Sequence, residues 1–391
     1  MTASRCSADR ARPAKGPAWL LAATVFSACF GPVVMARAET AATHAGAQDA
    51  SSARGAGASY WRPVDQANLS SACRSALDGV RDELQALPTT ALMAARGRDV
   101  LLSYGRIDRP SIVYSVRKSI LSMLYGRQVA EGRIRLDETL GDLGIDDVGG
   151  LLPIERQARV RDLLTARSGV FHAAANPGDD ATAAPARGSQ QPGSYFLYNN
   201  WDFNVAGSVF EQRTGRSLYQ TFDADIAQPL GLQDFDLSRH RRTGDARRSV
   251  HLAYHFHLSA RDMARIGQLM LAGGAWQGRQ VVPAAWVAES TAPVTAAAAM
   301  HPPHVARRGL GYGHLWWLPE VPETSPLAGS YFAWGYYGQF ILVVPRRGLV
   351  IVHKHDIQPA EGQAPRHVRV PAFLAIAARL ADAPCEIPPA R

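Results

Sequence analysis

The sequence predicts an α/β (α+β) fold, an antiparallel sheet flanked by helices from both termini, with an all-helical domain inserted between them. Three observations carry this. A helix and a β-hairpin are patterned into the first part of the chain after residue 60. Short apolar strands crowd its C-terminal part. The stretch between them is mostly helical in period. The chain has 391 residues, 47% hydrophobic and 19% charged, which is enough to bury a large core.

The elements follow in order. Arg5, Arg10, Arg12 and Lys15 form a basic segment, "AWLLAATVFSACFGPVVMA" is apolar, and Ala36-Arg37-Ala38 supplies a small-residue cleavage site. Residues 1–38 therefore read as a signal peptide cut after Ala38, which implies a periplasmic or secreted protein. Pro32 and the cleavage site speak against a retained membrane span. A lipoprotein anchored at Cys29 ranks second, because Phe26 stands where Leu is preferred. Residues 39–60 are Ala-, Gly- and Ser-rich and read as a flexible leader.

The folded domain, 61–391, opens with "NLSSACRSALDGVRDELQAL". Its Leu69, Cys73, Leu77, Val80 and Leu84 recur at helical spacing. "TALMAAR" and "DVLLSYG" flank a short turn and read as a hairpin. Residues 130–304 form the mostly helical insert. Within it, "RVRDLLTAR", "NNWDFNVAGSVFEQRTG" and "SARDMARIGQLMLAGG" have helical spacing, the last two ending on capping glycines. Residues 172–193 have no pattern, and a loop of that length is usually a functional lid or disordered. "GYGHLWWL", "SYFAWG", "GQFILVVP" and "GLVIVHKH" read as antiparallel strands, and "RVPAFLAIAARLAD" as a closing helix. Segments 61–129 and 305–391 thus make up the α/β part.

Residues 1–38 carry five Lys or Arg and one Asp, so their removal lowers the net charge from +8 to about +4. No basic run is interleaved with aromatics, so nucleic acid is not an expected partner. Of four cysteines, Cys73 and Cys385 remain after cleavage. In an oxidising compartment they would form a disulfide tying the first helix to the last segment; otherwise they are two separate thiols.

Three stretches carry chemistry. In "YSVRKSILSMLYG", Ser115 and Lys118 are one helical turn apart at a helix start. A serine hydroxyl needs an adjacent base, and a lysine desolvated by its surroundings can serve as one. The helix N-terminus would also favour an oxyanion. Alone, such a pair is common, and serine is a frequent helix cap. In "YFLYNNWDFNVAG", Tyr198 and Asn200 precede a helix and can aim a phenol and an amide into a cleft. A phenolate held between two ammonium groups would move the serine proton. The bland alternative is a core tyrosine followed by a capping Asn. In "FAWGYYGQFILVVP", Gly335 permits close backbone approach, and the Tyr336 N–H can pair with the Ser115 N–H as an oxyanion hole.

These three elements, in this order, resemble the serine β-lactamase and penicillin-binding-protein superfamily, and the Tyr-x-Asn form resembles its class C β-lactamase and esterase branch. "DLLTARSGV" (162–170), "LSARDMARIGQLML" (258–271), "GYGHLWW" (311–317) and "GYYGQ" (335–339) extend the resemblance over about 65–385. It implies Ser115 as acylated nucleophile, Lys118 and Tyr198 as the proton-transfer pair, and Asn200 as a contact to substrate or intermediate. The chain departs from the pattern at the third motif. Ala333-Trp334-Gly335 lacks the Lys or His that would pair with a substrate carboxylate. Trp334 and Gly335 would instead line a site for an ester or a hydrophobic amide, as in family esterases and 6-aminohexanoate-dimer hydrolases. The expected activity is therefore an exported serine hydrolase acting on a small-molecule ester or amide. A β-lactamase or D-Ala-type peptidase is the alternative, and a non-catalytic binding module a third.

No cofactor is expected. "HLAYHFH" places His251, His255 and His257 close together without an acidic or Cys partner nearby, which reads as structural or surface histidines rather than a metal site. No G-x-S-x-G elbow, H-E-x-x-H or P-loop is present.

Overall fold

Both ends of the chain contribute strands to one eight-stranded sheet, as the terminal patterns predict. The computed structural model describes residues 60–178, 180–356 and 366–386, and these fall within one unit, Ala58–Arg391. The expectations for residues 1–38 and for the leader up to residue 59 lie outside the described residues. Tyr60, assigned to the leader, instead packs its ring 4.9 Å from those of Trp61 and Trp276, so the fold starts at least one residue earlier.

The sheet strands are β1 (Arg62–Pro63), β2 (Ala91–Arg96), β3 (Asp99–Gly105), β4 (Leu310–Tyr312), β5 (Trp317–Pro319), β6 (Tyr331–Gly335), β7 (Gln339–Val344) and β8 (Leu349–Lys354). They lie in the order β1-β3-β2-β8-β7-β6-β5-β4, antiparallel except for β1 on β3. The N-terminal hairpin joins the C-terminal one where β8 pairs with β2, from Leu349 opposite Arg96 to Lys354 opposite Ala91. "GYGHLWWL", read as one strand, is two: β4 and β5 face each other across a turn in which Leu315 has φ 68°.

Alternation along the central strands assigns a helix to each face. Phe340 and His353 are cross-strand partners on one face, where Phe373 of α7 (Val370–Asp382) stacks on Phe340 at 4.1 Å. Ile341 and Val350 belong to the other. A Cβ on Gly267 of α5 (Ala260–Leu271) would sit 2.4 Å from Val350 and 3.1 Å from Ile341, so only a glycine lets that helix lie so close. Helix α5 falls inside the range assigned to the helical insert, yet it packs on the sheet. Its amphipathic spacing is the same whichever layer it covers. The remaining helices used below are α1 (Ser71–Ala86), α2 (Val116–Ala130), α3 (Val160–Leu164), α4 (Asn200–Thr214) and α6 (Ala284–Ser290). No described helix is long and apolar enough to cross a membrane.

Helix α1 is capped by Ser70, whose hydroxyl accepts from the Cys73 N–H, and buries Cys73, Leu77, Val80 and Leu84 as one stripe. Cys73 and Cys385 are bonded to each other across a sequence separation of 312. Closing a loop of that length restricts the unfolded chain strongly, on the order of 5 kcal/mol in the chain-entropy model. Reduction should therefore lower the midpoint of urea unfolding markedly, and Cys73→Ser should match the reduced protein. An unchanged midpoint would refute a stabilising bridge.

Candidate active site

The chain enters the site along Ser111–Ile112, which pairs antiparallel with His257–Leu258 and continues with the Val113 N–H donating to Phe256 O at 3.0 Å. Tyr114 then takes a left-handed φ of 45°, uncommon for a residue with a side chain and typical of strained functional turns. The turn places Ser115 at the N-cap of α2. There its hydroxyl makes no capping bond. It faces Lys118, whose Nζ donates to Ser115 Oγ at 2.8 Å.

Lys118 is 1% exposed. Its Nζ also donates to Tyr198 Oη at 2.8 Å and to Asn200 Oδ1 at 2.9 Å, and it lies 4.2 Å from the centre of the Tyr198 ring. The structure thus gathers Ser115, Lys118, Tyr198 and Asn200 around one nitrogen. Asn199 is the capping residue: its Oδ1 accepts from the Trp201 N–H, and its Nδ2 donates to Val170 O. This leaves Asn200 free to reach Lys118, while its Nδ2 donates to Asn176 O in the 172–193 loop. That loop helps wall a cavity of about 230 Å³ beside Tyr198 and Asn200, lined by Phe171, Pro177, Ala181 and Leu197 among others.

Burial raises the Tyr198 pKa well above its ordinary value. Hydrogen bonds with Ser115 and Trp317 and the charge of Arg117 oppose this without reversing it. Tyr198 is therefore a phenol at neutral pH, not the phenolate the sequence suggested. The second flanking cation imagined for it is absent at Ala333, which is buried within β6.

The third motif arrives on β6. A Cβ at Gly335 would lie 2.3 Å from the Val113 carbonyl oxygen, so β6 ends against the segment that carries Ser115. Tyr336 and Tyr337 pack their rings on Tyr114 at 6.2 and 5.3 Å. Trp334 lies 5.4 Å from Trp317, which lies 5.2 Å from Tyr198, and the Arg308 guanidinium sits over Trp334 at 5.3 Å. Sequence reading missed Trp317 because only strand pairing brings it to the phenol. It also missed Asp202, a buried carboxyl in the first turn of α4 that accepts from Ser168 Oγ at 2.7 Å and fastens the "TARSGV" turn under Tyr198. An acid in a first helical turn is common, so Asp202 carries no signal of its own in the sequence.

His251 and His353 are held by local hydrogen bonds, whereas His255 Nδ1 and His257 Nδ1 are buried without one. His251 bonds Ser208 Oγ at 2.8 Å and the Asp146 carbonyl at 3.0 Å, and burial lowers the His255 pKa to about 3, with Arg117 adding to the effect. His353 is buried between Gly338 O and Thr89 Oγ1. No group of three metal-ligating side chains is placed to hold an ion among the described residues.

A family model described as Beta-lactamase matches residues 77–366. Among solved structures, a Bacillus anthracis protein assigned as a 6-aminohexanoate-dimer hydrolase superposes with a TM-score of 0.57 at 18% identity, covering 77% of this chain and 80% of that one. A penicillin-binding protein homologue from Caulobacter crescentus gives 0.57 at 17% identity, with coverages of 80% and 97%. A family VIII carboxylesterase gives 0.56 at 14%, with coverages of 79% and 96%.

Proposed function

The chain belongs to the β-lactamase family, and from that premise we propose that it is an exported serine hydrolase cleaving a small ester or amide through an acyl-enzyme. The observation that carries this is the Lys118 nitrogen, within 2.8 Å of both Ser115 Oγ and Tyr198 Oη. Spacing of that kind lets one amine take a proton from the hydroxyl and pass one to the phenol.

In the proposed sequence, Lys118 in its amine form takes the Ser115 proton as Oγ bonds to the substrate carbonyl carbon. The Ser115 and Tyr336 N–H groups hold the oxyanion. The bond to the leaving group then breaks. Tyr198, kept as a phenol by burial, gives that group its proton and regains one from Lys118. Water repeats the attack on the acyl-enzyme and releases the acid. These steps draw on side-chain and backbone groups alone. Trp334 and Gly335 bound the substrate on the β6 side, and Asn200 contacts substrate or intermediate.

The Cys73–Cys385 bridge supports an oxidising compartment, in keeping with the N-terminal signal pattern. One observation favours the β-lactam or D-Ala-type reading. Exposed Arg308 over Trp334 puts a cation beside the third motif, where a substrate carboxylate would lie. The test is an acid-quenched first turnover of p-nitrophenyl butyrate, followed by intact-mass and peptide analysis. One acyl group on the Ser115 peptide is expected. Turnover with the acyl group on another residue would sink the proposal. A parallel assay with a chromogenic β-lactam separates the two substrate classes.

A further inference from the structure

The strongest unexplained feature lies between Ser115 and Lys118. Arg117 is 1% exposed, and the side chain it bonds is an amide rather than a carboxylate. Its Nη2 donates to Asn204 Oδ1 at 2.9 Å, its guanidinium lies over the Tyr254 ring at 4.4 Å, and its Nη1 is buried without a hydrogen-bond partner. Burying a charge this way costs stability, and a guanidinium cannot discharge itself as a lysine can.

The groups around it leave that charge uncompensated. On α4, burial pushes the Asp202 carboxyl well above the usual range, and its hydrogen bonds come from Ser168 and Asn199 rather than from Arg117. On Ala253–His255, burial raises Tyr254 to about 12 and lowers His255 to about 3, so both are neutral. On β4, burial raises Tyr312 well above its ordinary value. Tyr198 is a phenol and Asn200 an amide. A guanidinium keeps its proton throughout the working range, and Arg117 adjoins Lys118 in sequence.

We propose that Arg117 is a positioning residue that acts through its charge, holding its neighbour Lys118 in the amine form that can accept the Ser115 proton. The inference rests on the hydrolase reading above. It also answers the gap at Ala333: the positive field at the proton-transfer pair comes from inside the nucleophile's own helix. A like charge several ångströms away in a poorly solvated interior shifts a lysine's titration by about one pH unit.

The test compares kcat/KM against pH for Arg117→Met, Arg117→Gln and Arg117→Lys, with a neutral p-nitrophenyl ester. Removing the positive charge favours the Lys118 ammonium. The acid limb should therefore move up by about one unit in the Met and Gln variants, with roughly tenfold loss on that limb and near-normal rates at the alkaline plateau. Arg117→Lys should keep the original limb. Arg117→Met should fold at least as well as the parent, because an apolar side chain replaces an unpaired buried charge. Arg117→Gln, which keeps a donor for Asn204, gives the same reading if Met is poorly tolerated. An unmoved limb, or an equal loss at every pH, overturns the inference in favour of a structural role. Ser115→Ala run alongside separates the two failures: an inert Ser115→Ala with an unmoved limb sinks only the Arg117 role, and an active one sinks the hydrolase reading too.

Discussion

Ser115→Ala should reduce turnover of a short-chain p-nitrophenyl ester by roughly 10⁴-fold or more, the scale on which removal of a covalent nucleophile is felt. The folded protein should be nearly unaffected. The hydroxyl makes no capping bond to α2, so its loss leaves no backbone donor stranded. This separates the two meanings that "SVRK" carried in the sequence. A capping serine would reveal itself in stability and leave hydrolysis alone; a nucleophile does the reverse. Equal rates in the two proteins, measured with matched thermal melts, would return the motif to a plain helix start.

Lys118 supplies the second large effect. Lys118→Met should cost on the order of 10³- to 10⁴-fold in kcat/KM, the upper range for loss of a general base. Lys118→Arg should be nearly as poor, although it keeps the charge, because a guanidinium does not release its proton in the working range. The comparison distinguishes a base from a mere electrostatic anchor, since an anchor would be largely rescued by arginine. Combined with Ser115→Ala, either variant should add little further loss, as expected for groups acting as a unit. Additive losses would mean that Lys118 acts independently of Ser115 Oγ, against the 2.8 Å contact between them.

The sheet was legible because its strands are short apolar runs bounded by turn residues. Assigning α5 to a layer was not possible that way. Its buried stripe tells that one face is covered, not by what, and Gly267 alone hints at the close approach to β7 and β8. The β4–β5 turn was hidden for another reason. It passes through Leu315 in a left-handed conformation, where a turn signal would have been Gly or Asn. Within the site, Ser115, Lys118, Tyr198 and Asn200 stood out through spacing and order. Arg117 did not, since an arginine near a helix start reads as a solvated charge until α4 and Tyr254 are seen to close over it. Trp317 and Arg308 depend on strand neighbours far apart in the chain, and no local pattern announces them.

The bond between Cys73 and Cys385 gives the described fold the connectivity of a ring, with the nucleophile, the phenol and the β6 motif all on its circumference. A single cut by a protease in the 172–193 loop would linearise that ring without freeing either piece. The segment bearing Ser115 would stay tethered to the segment bearing Trp334, and the sheet they share could remain assembled. Separation of the fragments requires two events, a cut and a reduction.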